Sequence, residues 1–152
     1  TGGRLRLVFA GDGPMRTQLE SEIAAKLPAN GPVTAHLLGN TAATDLAALF
    51  QLSNLFCLPT RSEGFCTSLL EASACALPSI IPDVGGAREL IPSAEYGFIV
   101  PGRTAEVTAQ ALREAISLGS DRLGAMGLRA RDRVEAVASW NDTADAVLAA
   151  FA

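Results

Sequence analysis

The stretch from Leu58 to Pro78, LPTRSEGFCTSLLEASACALP, constrains the fold of this chain more than any other segment. The apolar run Leu55 to Leu58 has strand character and stops at Pro59. Thr60 to Cys66 reads as a loop, and a helical pattern of apolar residues then continues until Pro78 ends it. The sequence therefore predicts a strand, a glycine-containing loop and a helix in immediate succession.

The start of the predicted helix is suited to an anionic ligand. Thr67 and Ser68 stand where a helix favours an N-cap, because their hydroxyls can accept hydrogen bonds from the free amides of the first turn. A helix N-terminus carries unpaired N–H groups and about half a positive charge, which makes it a seat for phosphate. In open α/β sheets the ligand lies at the carboxyl ends of the strands, where this segment is expected.

Two carboxylates bracket the predicted phosphate seat. Glu63 lies in the loop, and Glu71 follows eight residues later, about one turn into the helix. Carboxylates accept hydrogen bonds from sugar hydroxyls, so a diphosphate with a sugar at each end fits this layout. The segment therefore predicts a nucleotide-sugar site. Because apolar residues flank Glu71 in the sequence, we expect its side chain to be half-buried with a partner.

The rest of the chain alternates strands with helices. The predicted strands are 5–10, 33–38, 55–58, 79–82 and 96–100, and the predicted helices are 15–27, 45–52, 69–76, 88–91, 104–118, 121–137 and 141–150. Asp12 is expected to cap the first helix and Pro14 to occupy its first position. This alternation with short loops predicts an α/β fold: a Rossmann-like parallel sheet with helices on both faces, followed by C-terminal helices.

Composition limits the classes of protein that fit. The chain has 152 residues, 49% of them hydrophobic and 18% charged, which is enough for one globular domain with a sizeable core. A net charge of −4 and a pI near 4.9 argue against general nucleic-acid binding. The three cysteines, Cys57, Cys66 and Cys75, have neither zinc-site spacing nor an even count, so we expect a reducing cytoplasmic location. Any peripheral contact with a membrane would come through a part of the protein outside this chain.

Six short motifs follow one another along nearly the whole chain: GDGP at 11–14, VTAHLLG at 33–39, RSEGFCTSLLEASACALP at 61–78, VGGARELI at 84–91, GFIVP at 97–101 and SW at 139–140. Their order resembles the C-terminal, donor-binding domain of the family 4 retaining glycosyltransferases, which have the GT-B fold. The third motif resembles the family's E-x7-E segment. The resemblance implies a hexosyltransferase-type enzyme of carbohydrate biosynthesis.

The resemblance also assigns roles to individual residues. Glu71 would accept hydrogen bonds from the ribose hydroxyls of the donor, and Glu63, the catalytic-site carboxylate, would contact hydroxyls of the transferred sugar rather than act as a nucleophile. Asn40 would lie beside the nucleobase. The implied donor-binding set is Glu71, Gly64, Phe65, Cys66, Thr67, Ser68, Arg61, Asn40, Gly85 and Gly86. The family often has glycine where Cys66 and Ala76 stand, and we read Ala76 as a structural residue that costs no stability if its φ is negative.

Simpler interpretations of these residues stay open from the sequence. Glu71 and Glu63 can be solvated carboxylates, Arg61 a solvated cation, and the Gly85-Gly86 pair a mere turn that does not admit the donor sugar. Three further residues carry structural expectations. We expect Glu89 to buttress its loop rather than cap its own short helix. We expect His36 to be a satisfied core or face residue of a strand rather than a catalytic base, and Trp140 to be a packing anchor rather than a binding platform.

Two parts of the resembled enzymes have no counterpart in this sequence. One is the strand-helix unit that opens their C-terminal domain and carries an Arg and a Lys, which would be central in a 3-2-1-4-5-6 strand order. The other is the N-terminal acceptor-binding domain. We therefore expect a partial domain whose isolated chain is inactive. Its partners would be the nucleotide sugar, the missing domain and an acceptor glycan, lipid or small molecule, with no nucleic acid.

The resemblance implies transfer with retention of anomeric configuration and without a metal or other cofactor. The sequence has no Asp-x-Asp motif that would hold Mg²⁺. Two alternatives stay open: another GT-B enzyme that acts on nucleotide sugars, such as a phosphorylase or an epimerase, and a non-catalytic relative that serves as an interaction domain.

Overall fold

The computed structural model describes residues 4–151. Its elements, in chain order, are β1 (Leu5–Ala10), α1 (Arg16–Lys26), β2 (Val33–Gly39), α2 (Ala43–Leu52), β3 (Phe56–Cys57), α3 (Thr67–Ala74), β4 (Ser79–Pro82), α4 (Ala87–Leu90), β5 (Phe98–Val100), α5 (Ala105–Val137) and α6 (Trp140–Ala150). The order and type of the predicted elements are confirmed, with the predicted helices 104–118 and 121–137 together forming α5. All strand pairs are parallel, which confirms the α/β class.

The chain divides into two compact units, Thr1–Leu46 and Ala47–Ala152, with the boundary inside α2. In the first unit, β1 and β2 pair in parallel from Leu5↔Val33 to Ala10↔Gly39. No described residue of β1 or α1 is buried, and Leu5, Val8 and Phe9 are exposed. The first unit therefore contributes strand pairing but little apolar core.

The second unit contains the main core, around a sheet in the order β3-β4-β5. Every residue of β4 is buried, as expected for a central parallel strand covered on both faces. Neighbouring residues on β4 serve two clusters: Ile81 packs with Leu69, Leu90 and Val134, whereas Ile80 packs with residues of β5 and α5. The two clusters hold α3, α4 and α5 against the sheet.

The described residues form two separate parallel sheets, a pair of strands, β1-β2, and a triplet, β3-β4-β5. The missing first strand of a 3-2-1-4-5-6 order stays a prediction.

The helices after β5 also follow the sequence signals. Thr104 caps α5 by accepting from the Val107 amide at 3.4 Å, and Ser139 caps α6 by accepting from the Asp142 amide at 3.3 Å. Gly119, with φ 78° and ψ 168°, interrupts the helical backbone of α5 where the break at 119–120 was predicted. The packing role expected for Trp140 is wrong, because its side chain is 88% exposed.

The predicted cap of α1 is also wrong. Met15, not Asp12, is the N-cap residue, and it makes no side-chain cap hydrogen bond. Asp12 instead accepts from the Gly13 amide at 2.8 Å and pairs with Arg16 at 3.4 Å. The Asp12 side chain therefore makes its hydrogen bond and its ion pair close to its own turn rather than capping α1.

Candidate functional site

The predicted strand-loop-helix segment is present, but the helix begins differently from the prediction. Thr67 and Ser68 are the first two residues of α3, and Cys66 is the N-cap residue, so both predicted caps are wrong. Cys66 has a left-handed backbone (φ 61°, ψ 63°) and makes no side-chain cap hydrogen bond. A side-chain cap normally needs an extended backbone at the N-cap residue, which this turn does not provide.

Five consecutive amides at the start of α3 have no acceptor in the part of the chain that the structure describes. They are the N–H groups of Gly64, Phe65, Cys66, Thr67 and Ser68. The next two amides, of Leu69 and Leu70, both donate to the Cys66 carbonyl, at 3.0 and 3.3 Å. Cys66 is thus the point where helical bonding starts, and the loop before it offers donors to a ligand.

The two carboxylates bracket this run of amides. Glu63 is half-buried in the loop, whereas Glu71 is exposed on α3, so the expected half-burial of Glu71 is wrong. The apolar neighbours of Glu71 face the core because the helix turns each successive residue by about 100°. Among the described residues, neither carboxylate accepts a hydrogen bond or forms an ion pair. Both are therefore available to hydroxyl donors of a ligand.

The Cys66 side chain anchors the loop in the core. Its residue is 3% exposed and packs in one cluster with Ala87, Leu90 and Ile91. Burial raises the pKa of the Cys66 thiol, the negative charge of Glu63 raises it further, and the Leu69 amide opposes the shift. The thiol is therefore neutral at physiological pH and acts as a buried apolar group.

The Gly85-Gly86 pair contacts the backbone of the Glu63 loop. An alanine Cβ at Gly85 would lie 2.7 Å from the Glu63 carbonyl oxygen and would also meet the Gly64 carbonyl. At Gly86, with φ 74°, a Cβ would lie 2.8 Å from the Phe65 carbonyl oxygen. The structure therefore gives a different reason for these glycines than room for a donor sugar, namely the packing of two loops against each other. Contact of their backbone with the donor stays a prediction.

An ion pair closes the Gly85-Gly86 loop. Arg88 donates through Nε to both carboxylate oxygens of Asp83, each at 3.0 Å, and through Nη2 to Oδ2 at 2.7 Å. This pair lowers the pKa of Asp83 and raises that of Arg88. The expectation that Glu89 buttresses the loop is wrong for its side chain, which is exposed and makes no polar contact with any described residue. The Glu89 carbonyl instead accepts from Arg133 Nε at 2.8 Å.

The sequence reading missed Asp83 and Arg88. The signal available was a pair of opposite charges on either side of a Gly-Gly turn, DVGGAR. A spacing of five residues is not a helical pairing distance, so only the folded loop brings the two groups together.

The C-terminus of α3 differs from the sequence expectation at Ala76. Its φ is +56°, not negative. The Leu77 amide donates to the Ala72 carbonyl at 3.0 Å, and the Ala76 amide donates to the Ser73 carbonyl at 2.9 Å. These two bonds form a Schellman motif, which places residue 76 in the left-handed region usually taken by glycine.

Other predicted site residues are exposed. Arg61 is exposed in the loop before Glu63, and Asn40 is exposed directly after β2, in the first unit. His36 is exposed on β2, so the expected core placement does not hold, while a position on the sheet face does. Across residues 4–151, no three His, Cys, Asp or Glu side chains are grouped to hold a metal ion. None of the described helices combines the length and apolarity needed to cross a membrane.

Several known proteins are similar to this chain in sequence and in fold. The chain is 32% identical, over 152 residues, to D-inositol 3-phosphate glycosyltransferases of Mycobacterium bovis and Mycobacterium tuberculosis. That match covers 97% of this chain and 31% of those proteins, so the chain spans about a third of their length. A solved sucrose-phosphate synthase from Thermosynechococcus elongatus superposes with a TM-score of 0.78 at 28% identity, over 98% of this chain and 38% of that one.

A second solved structure, a glycosyltransferase from Rickettsia africae, gives a TM-score of 0.72 at 26% identity, over 91% of this chain and 36% of that one. The family described as glycosyl transferases group 1 matches residues 1–133. This match includes both carboxylates, the free amides and the Gly85-Gly86 loop. The chain therefore belongs to the glycosyl transferases group 1 family.

Proposed function

We propose that this chain forms the donor site of a retaining glycosyltransferase that transfers a sugar from a nucleotide-diphosphate donor to a glycan, lipid or small molecule. Family membership supports sugar transfer. The chain spans 31% of the length of its curated relatives, and we propose that the acceptor site lies in a part of the enzyme outside this chain.

One observation carries the proposal: the unpaired amides of Gly64 to Ser68 lie between two carboxylates that have no protein partner among the described residues. A diphosphate satisfies such amides and gains from the positive end of α3. Sugar hydroxyls satisfy the carboxylates. A nucleotide sugar supplies both chemistries in one molecule, in the order in which the chain presents them.

Each residue then has a defined task. Glu71 accepts from ribose hydroxyls, and its position four residues after Thr67 puts it about 6 Å along the helix axis. Glu63 accepts from the hydroxyls of the transferred sugar and orients its anomeric carbon. The amides of Cys66, Thr67 and Ser68 donate to the diphosphate.

Negative charge grows on the diphosphate as its bond to the sugar breaks. Amide donors that the folded loop holds at this position stabilise the charge without reorganising, and such electrostatic stabilisation is usually the largest single contribution to rate enhancement. Arg61, exposed beside the loop, adds a positive charge. We propose that these groups do so without a metal ion, in the cytoplasm, where the free thiols Cys57, Cys66 and Cys75 stay reduced.

Calorimetric titration with UDP, GDP and ADP, with and without chelator, tests this proposal. Binding should be insensitive to the chelator and should identify the preferred base. Glu71→Ala should weaken it by roughly ten- to a hundredfold, because hydrogen bonds to a charged acceptor are lost. Glu95→Ala is the matched control, since Glu95 is exposed in a turn of the same unit and has no proposed role.

Equal binding by Glu71→Ala and the wild-type protein would remove Glu71 from the site. Failure of all three nucleotides to bind, both to this chain and to the enzyme that contains it, would refute the donor-site proposal.

A further inference from the structure

The Glu63 loop has a backbone support beneath it. Three successive carbonyls, of Glu63, Gly64 and Phe65, occupy the space that side chains at residues 85 and 86 would fill. The two loops thus touch through main-chain atoms, without flexible side chains between them. A shift of the Gly85-Gly86 turn must therefore move the Glu63 backbone or open a gap under it.

The supporting turn is itself held at both ends, and we call residues Asp83 to Arg88 the brace. The Asp83–Arg88 ion pair, with three donor–acceptor distances of 2.7–3.0 Å, joins its first residue to its last. Two parallel contacts to one carboxylate fix orientation as well as distance. The six-residue turn is closed into a ring by this pair.

The brace is anchored to the core. Ala87 of the brace is fully buried in the cluster that also contains Cys66, and so is Leu90, three residues further along α4. On the solvent side, Arg133 of α5 donates to the Glu89 carbonyl at 2.8 Å. The same core cluster therefore contains part of the brace and Cys66, the N-cap residue of α3, so close packing sets the distance between the brace and the start of α3.

We propose that Asp83 and Arg88 are positioning residues for Glu63: their ion pair holds the Gly85-Gly86 turn in the shape that places the Glu63 loop against the donor sugar. This inference rests on the donor-site function proposed above. Neither residue is required to touch the donor. A misplacement of about 1 Å at a reacting group can cost around a hundredfold in rate, so such indirect support has a large effect.

A direct role for Arg88 in binding the diphosphate is the competing explanation. Two of its three guanidinium nitrogens already donate to Asp83, which favours the indirect role. The two roles predict different ligand effects. Loss of a phosphate contact weakens the binding of the free nucleoside diphosphate and of the nucleotide sugar equally. Displacement of Glu63 weakens mainly the binding of the nucleotide sugar.

Alkylation of Cys66 reports on the loop without any ligand. Native protein is treated with iodoacetamide and the labelling rate of each cysteine is followed by peptide mass spectrometry. Cys66 is 3% exposed and should label slowly. Asp83→Ala and Arg88→Ala should each raise its rate several-fold while leaving Cys75 unchanged. The charge-exchanged double variant, Asp83→Arg with Arg88→Asp, should return the rate towards the wild-type value.

Two controls separate positioning from general destabilisation. Arg131→Ala removes another exposed ion pair, Arg131–Glu135 at 3.0 Å on α5, and should leave Cys66 labelling unchanged. Urea midpoints should hardly move in any of these variants, because exposed ion pairs contribute little to stability. Gly85→Ala should raise the labelling rate of Cys66, because the added Cβ would displace the Glu63 loop.

Ligand binding then tests whether the brace positions Glu63 for the donor sugar. Arg88→Ala is titrated with the preferred nucleoside diphosphate and with its nucleotide sugar. Its affinity for the nucleotide sugar should fall several-fold, and its affinity for the nucleoside diphosphate should hardly change. Unchanged Cys66 labelling in both alanine variants would overturn the positioning role. An equal loss for both ligands would assign Arg88 to the phosphates instead. If neither this chain nor the enzyme that contains it binds either ligand, the donor-site function fails, while the labelling result still decides whether the brace positions the loop.

Discussion

Replacing Gly127 by alanine tests how closely α5 packs against the end of α3. Gly127 is buried on α5, and an alanine Cβ there would collide with the Ala76 carbonyl oxygen. It would also lie 2.7 Å from the Ala76 carbonyl carbon and 3.0 Å from Pro78 Cδ. These atoms belong to the Schellman turn and to a proline ring, so they cannot rotate away as a flexible side chain could.

The expected cost follows from two opposing effects. Overpacking a closely packed site costs about 1–3 kcal/mol, and a rigid backbone obstacle places this site at the upper end. Alanine gains about 1 kcal/mol over glycine through its higher helix propensity. The free energy of unfolding should therefore fall by about 2 kcal/mol.

Urea denaturation followed by circular dichroism at 222 nm measures this change. With an m-value of about 2 kcal/mol/M, the midpoint of Gly127→Ala should fall by about 1 M. Gly124→Ala is the matched control, because Gly124 is exposed on the same helix and an added Cβ would meet nothing within 4 Å. Its midpoint should rise, since only the propensity effect of about 0.5–1 kcal/mol remains.

A Gly127→Ala midpoint equal to or above that of Gly124→Ala would show that α5 does not approach the α3 turn this closely. The close contact between α5 and the C-terminal end of α3 would then be wrong.

Two further predictions concern single backbone and charge features. Ala76→Gly should raise the free energy of unfolding by about 1 kcal/mol, because glycine relieves the left-handed strain at φ +56°. Ala74→Gly, at the last residue of α3, should lower it in the same urea assay. A loss of stability in both variants would contradict the Schellman turn. The Asp83 carboxyl should titrate below the ordinary value of about 4, as followed by carbon NMR, because Arg88 stabilises its charged form. The lowered pKa means that the pair's contribution is present above pH of about 4 and is lost as the pH falls through the folded-state pKa. In Arg88→Ala the Asp83 pKa should return to the ordinary range, and an unchanged low value there would assign the shift to another group.

Local sequence signals predicted most elements of the fold correctly. The apolar run of β4 and the glycine break at 119 in α5 follow from side-chain periodicity and backbone freedom, which act within a few residues. The same signals located the Glu63 loop and the two carboxylates, Glu63 and Glu71, because their spacing along one strand-loop-helix segment is a property of the chain itself.

Backbone conformation at particular residues could not be predicted. Cys66 and Ala76 are both left-handed, although neither is glycine. Intrinsic preference opposes this conformation by roughly 1–2 kcal/mol per residue. Core packing of Cys66 and the paired hydrogen bonds around Ala76 outweigh the preference, and both depend on the assembled helix and sheet. The expected caps at Thr67 and Ser68 are wrong for the same reason.

The sequence by itself determined the alternation of parallel strands and helices, the free amides at the start of α3 and the carboxylates that bracket them, because each depends on neighbours within about ten residues. Only the tertiary structure decided what supports that loop. The contact of Gly85 and Gly86 with the carbonyls of residues 63–65 joins segments about twenty residues apart, and the Asp83–Arg88 pair exists only once the turn between them is closed. Close packing between distant segments has no periodic signature in a sequence, since it depends on which surfaces the completed core brings together.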